Sequence, residues 1–151
     1  MAKFIFKMEN ILEVKRKLEN QAQSAYALAL AKVQEEEEKL QQLSSRKTGY
    51  EKKLAENMLE FLQIQEIKRL EDAVELMKYR ILEQKVVLEN AKIQAERARV
   101  KLQEAMVERK TYEKLKEKAF EAFKLEVNAQ EKKEVDELVS YKFAVPNENM
   151  G

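Results

Sequence analysis

Cysteine and histidine are absent from the 151-residue chain. Their absence removes disulfides and thiolate nucleophiles, and with them the commonest metal ligand and general base. Two glycines and one proline are almost none of the punctuation that a compact, many-looped domain requires. Long hydrophobic runs are missing too. The longest, residues 25–31, falls far short of the roughly 20 residues that span a bilayer, and Lys7 and Glu9 interrupt any apolar segment near the N-terminus that would read as a signal peptide. Charge of one sign is lacking as well: 29 basic and 28 acidic residues are mixed throughout, for a net charge of +1, so no basic face offers itself to nucleic acid. No glycine-rich phosphate loop, nucleophile elbow or paired catalytic constellation occurs. These absences lead us to expect a cytoplasmic protein that is not an enzyme, uses no cofactor or metal, binds no nucleic acid and does not insert in a membrane.

What the sequence does contain is charge, at 38% of residues, in a background of Ala, Glu, Lys, Leu and Gln that is typical of long helices and coiled coils. Its apolar residues fall on seven-residue ladders. In the first half Tyr26, Val33, Leu40 and Leu54 share one ladder, with Lys47 as its polar rung, and Ala22, Ala29, Leu43 and Tyr50 share the companion. In the second half Leu70, Met77, Gln84, Ala91, Ala98, Ala105, Tyr112 and Ala119 follow one another by sevens, interleaved with Val74, Ile81, Leu88, Ala95 and Leu102. Each half is the apolar seam of a coiled coil.

If the seams face each other antiparallel, the indices of facing residues sum to a constant, and matching by size sets it near 120. Tyr50 then meets Leu70, Leu43 meets Met77, Leu40 meets Ile81 and Val33 meets Leu88, while Ala22, Ala25 and Ala29 fall opposite Ala98, Ala95 and Ala91. Neighbouring registers would set small against large and leave voids. Half the constant puts the reversal near Glu60, within the stretch 57–67. The expected fold is all-α: a long antiparallel two-helix coiled-coil hairpin with a C-terminal helical overhang. It has a helix over about 6–58, a turn over about 59–65, a helix over about 66–143 and a disordered tail over 144–151.

Local features refine this picture. Ile11, Val14 and Leu18 begin the first seam, and the departure from seven before Tyr26 reads as a stutter. The acidic run 35–38 points around more than one helix face, which makes it a solvated surface in preference to a metal site. Ser44, Ser45, Thr48 and Gly49 form a weak point, not a loop, because the ladder from Leu43 through Tyr50 to Leu54 passes unbroken. With a constant of 120, Leu115 and Lys116 face Phe4 and Ile5, so that residues 117–143 overhang, carrying Phe120, Phe123, Val127, Val135, Leu138 and Tyr141. An isolated helix of this kind gains little by itself, so it calls for a partner: a bound protein, a sister chain, or Phe4 and Phe6 reached by a bend.

Three ordered blocks carry a further signal. These are 3–12 followed by Lys15, Arg16 and Glu19; then 108–118; and finally 130–138, ending in a Lys-Lys-x-x-Asp-Glu-type run, with Tyr141, Lys142 and Phe143. Together they resemble the FliJ proteins of bacterial flagellar type III export over nearly the whole chain. The resemblance implies a stalk-like coiled coil at the cytoplasmic face of the inner membrane that inserts in the hexameric flagellar export ATPase and promotes its assembly and activity. It also implies coupling to the export-gate membrane protein and escort of export chaperones.

On that basis Phe4, Phe6, Phe120, Phe123, Val127, Val135, Asp136 and Leu138 are candidate ATPase contacts, and Ala73, Met77, Arg80 and Gln84 candidate gate contacts. Met77 and Gln84 also stand on the seam, where a core role is the alternative. The competing function is a self-assembling structural coiled coil of the cell envelope or cytoskeleton.

Overall fold

The computed structural model of the chain describes residues 2–59 and 63–144. It contains two helices, α1 (Glu9–Leu59) and α2 (Ile64–Ala144), packed on one another as an antiparallel hairpin. Among the described residues there is no strand. The reversal expected near Glu60 and the tail from residue 145 onward lie outside the described residues.

Helix ends follow the local chemistry. Residues 2–6 are not helical; the Glu9 amide donates to the Phe6 carbonyl at 3.2 Å and the Leu12 amide to that of Met8 at 3.0 Å, which turns the chain into α1. Glu9 and Glu66 stand in the first turns of their helices and Lys142 in the last turn of α2, each matching the sign that the helix dipole favours there. α1 runs unbroken through 44–49. Within it the Thr48 hydroxyl donates to the Ser44 carbonyl at 3.0 Å, and Gly49 faces open space.

The chain divides into two units, one of Glu19–Glu104 and one of Met1–Leu18 with Ala105–Gly151. In the first, shielded positions on α1 recur at 22, 26, 29, 33, 36, 40, 43, 47, 50 and 54, and on α2 at 70, 74, 77, 81, 84, 88, 91, 95, 98 and 102. Leu70, Val74, Met77, Leu88, Ala91 and Ala95 are its deepest apolar residues. Gln84 donates to Glu36, a pair whose indices sum to 120.

Two expectations fail here, for related reasons. Glu36, expected on a solvated face, is 2% exposed. Its index continues the ladder from Ala29 to Leu43, so the heptad carries a carboxylate into the seam. The stutter before Tyr26 is also absent, because Ile11, Val14 and Leu18 are exposed while Leu12 is fully buried and Lys15 and Glu19 are shielded. The seam keeps its alternation of three and four by passing through polar residues, which apolar spacing alone does not mark.

Candidate partner-binding surfaces

In the unit of Met1–Leu18 and Ala105–Gly151, the N-terminal segment is fixed by its aromatics. Phe6 is buried. Phe4 meets Phe120 edge-on, with centroids 5.1 Å apart at 66°, and Phe123 at 5.5 Å and 50°. The Lys124 ammonium lies 4.8 Å from the Phe120 centroid, a cation over an electron-rich face. The expected alignment put Phe4 against Leu115. It lands further along α2 because residues 2–6 are not helical, and an extended residue advances about 3.3 Å where a helical one advances 1.5 Å.

Charges tie the two segments of this unit together. Lys15 pairs with Glu108 at 2.9 Å, Lys116 with Glu9 at 2.8 Å and Arg16 with Glu113 at 3.6 Å, while Arg109 reaches Glu113 along α2 at 2.9 Å. The Lys15 ammonium also stands 5.8 Å from the Tyr112 centroid. Hydrogen bonding to Glu108 holds Lys15 above its ordinary pKa, against the desolvation that lowers it. A groove lined by Phe4, Val107, Lys110, Thr111, Lys114 and Phe120 opens beside the aromatic cluster.

Phe123 and Val127 are half-buried, and every described side chain from residue 128 to 143 is exposed. The unpartnered arm therefore begins after Val127 instead of at Glu117. Val135, Leu138, Tyr141 and Phe143 are each more than half exposed, and Asp136 shares that surface.

The unit of Glu19–Glu104 holds a buried polar layer. The Gln84 amide nitrogen donates to Glu36 Oε2 at 2.5 Å and to the Glu36 carbonyl at 3.1 Å. Lys32 and Lys39 reach Glu36 Oε1 at 3.0 and 3.2 Å. The Gln84 amide foremost, then Lys32, holds the Glu36 carboxyl down at about 2, with Lys39 helping and burial opposing. The site is satisfied within the chain and carries no chemistry of its own. Among the described residues no group of acidic side chains comes together that could hold a metal ion.

A family model described as Flagellar FliJ protein matches residues 4–148 of this sequence. The chain belongs to the FliJ family. The Flagellar FliJ protein of Bacillus subtilis (strain 168) is 26% identical over 140 residues, which covers 93% of this chain and 95% of that relative. No solved structure matches the chain. Among the described residues of this FliJ-family chain, no helix is long and apolar enough to cross a membrane.

Of the residues singled out for the gate, Met77 is 2% exposed in the seam and Gln84 is engaged with Glu36. Ala73 is half-buried and Arg80 exposed. Ala73 lines a groove with Tyr50, Asn57, Glu66, Arg69 and Leu70. Of the residues singled out for the ATPase, Phe4, Phe120 and Phe123 form one cluster, Phe6 lies buried beneath the surface, and Val135, Asp136 and Leu138 stand on the arm.

Proposed function

We propose that this chain is a non-enzymatic component of the flagellar type III export apparatus, acting as a stalk for the hexameric export ATPase. The observation that carries the reading is the arm beyond Val127: a helix that continues without a shielded face in a member of the FliJ family. Such a helix gains stability only by docking, and the exposed Val135, Leu138 and Tyr141 give it apolar anchors. In this reading the arm and the Phe4, Phe120 and Phe123 cluster enter the ATPase ring, and the chain promotes ring assembly and hydrolysis. In the same reading the half-buried Ala73 and the exposed Arg80 near the start of α2 meet the export-gate membrane protein, and the chain works at the cytoplasmic face of the inner membrane. Export chaperones are the remaining partners.

The test uses purified flagellar export ATPase with the full chain and with a Val135→Ser/Leu138→Ser variant, whose sites are exposed and leave the hairpin intact. Loss of the stimulation of ATP hydrolysis supports the reading. Undiminished stimulation contradicts the arm's role, and dimers that dissolve in the variant would favour self-assembly.

A further inference from the structure

We propose that the buried Glu36–Gln84 layer is a register latch, which holds the hairpin at its observed pairing against a one-heptad slip of α1 along α2. The apolar seam chooses that pairing only weakly, because both of its sides repeat by seven. Matching by size opposes shifts of a few residues, but a whole heptad returns apolar to apolar. Moving the sum of facing indices from near 120 to near 127 sets Tyr50, Leu40 and Tyr26 against Met77, Leu88 and Leu102, and confines the size penalty to pairs such as Val33 with Ala95. Moving it to near 113 sets Leu43, Leu40 and Val33 against Leu70, Val74 and Ile81. Lys47, the other polar rung, faces Val74, Ile81 or Ile67 in the three pairings, so it does not discriminate among them. The sequence around the reversal does not fix it either, since residues 55–66 contain neither glycine nor proline.

The polar layer does discriminate. At the observed pairing Gln84 donates to Glu36 Oε2 at 2.5 Å and to the Glu36 carbonyl at 3.1 Å, and Glu36 is 2% exposed. Lys32 and Lys39 reach Glu36 Oε1 from its own helix, so they travel with it and are indifferent to register. Either slip breaks the bonds to Gln84. Near 127 Glu36 faces Ala91 and Gln84 faces Leu43; near 113 they face Met77 and Ala29. Each slipped pairing buries an amide and a carboxylate oxygen without the partner each now has, which costs more than the bonds themselves contribute. Fixing register at some cost in stability is the best-attested role of buried polar groups in coiled coils. With the latch closed, the unit of Glu19–Glu104 has one register. With it open, α1 slides along α2 by seven residues, about 10 Å. The latch requires nothing of the export machinery.

Nitroxide labels on Ser45→Cys and Arg97→Cys, both exposed in a chain free of native cysteine, read the register by electron–electron distance measurement, with unlabelled chain added so that only distances within one molecule are seen. The unaltered seam gives one distance. Glu36→Leu/Gln84→Leu adds a second population displaced by about 10 Å, while the denaturant midpoint stays level or rises. Both residues must be replaced, because Gln84 also holds the backbone carbonyl of residue 36. Glu36→Gln, whose amide still accepts from Gln84, keeps the single distance. Moving the carboxylate one heptad, in Glu36→Leu/Leu43→Glu, carries the latch to the pairing near 127, and the distance shortens by about 10 Å. Lys39 and Arg46 flank residue 43 at the spacings at which Lys32 and Lys39 flank residue 36, so the moved carboxylate keeps its cations. One unshifted distance in Glu36→Leu/Gln84→Leu, whatever its midpoint, overturns the proposal, as does an unshifted distance after the carboxylate is moved. Loss of helical circular dichroism in the double-leucine variant overturns it too, because the apolar seam then does not hold without the layer.

Discussion

The two units close with opposite chemistry. Between Glu19 and Glu104 the seam is aliphatic, with Leu70, Val74, Met77 and Leu88 at its centre and a buried polar layer at Glu36 and Gln84. In the unit of Met1–Leu18 and Ala105–Gly151 the facing positions are largely charged, and Lys15, Arg16 and Glu9 reach Glu108, Glu113 and Lys116. Apolar burial is insensitive to salt and tolerates few substitutions. Exposed ion pairs contribute little and are screened. The aliphatic unit therefore specifies the hairpin, while the charged unit is held by Leu12 and the Phe4 cluster with the ion pairs as guides.

The largest break in this contrast comes from the aliphatic seam. Met77→Ala should cost about 2–4 kcal/mol, from lost transfer energy and the cavity it leaves, read as a drop in the denaturant midpoint. Phe4→Ala should cost about 1–2 kcal/mol, since it removes two aromatic contacts from a half-buried site. Its effect should appear as faster amide exchange in the terminal unit with little change at residues 70–95. Gly49→Ala works in the other direction: the added methyl meets open space in a helix interior, so about 0.5–1 kcal/mol of stabilisation is expected.

The smallest effects sharpen the electrostatic half of the comparison. The Glu36 carboxyl sits at about 2 in the folded chain against an ordinary 4.5. A depressed folded value means that its contribution is present above the unfolded value and lost as pH falls from about 4.5 toward 2. Thermal unfolding of Glu36→Leu/Gln84→Leu should accordingly change less over that interval than that of the unaltered chain. High salt should raise amide exchange near Lys15 and Lys116 and leave the seam around Met77 unchanged.

The hairpin and its register near 120 were legible because heptad spacing and residue size are both written in the sequence, whereas Ala25, expected in the seam opposite Ala95, is exposed and Tyr26 takes the shielded position. Glu36 was legible too, in principle. It stands seven from Ala29 and seven from Leu43, and its index and that of Gln84 add to 120, yet four adjacent glutamates look like surface. Leu12, Lys15 and Glu19 were hidden by the apolar Ile11, Val14 and Leu18 beside them, because hydrophobicity alone cannot tell a seam with polar rungs from its neighbour. The Phe4 contacts required knowing that residues 2–6 are not helical, which changes the rise per residue on one side only.

The measurement that bears most directly on the register is disulfide trapping, which the absence of native cysteine leaves free of background. A Glu36→Cys/Gln84→Cys chain should cross-link within one molecule under mild oxidation, while Glu36→Cys/Ala91→Cys, one heptad away, should not. Cross-linking of the second pair in preference to the first, or of neither, would contradict the hairpin described.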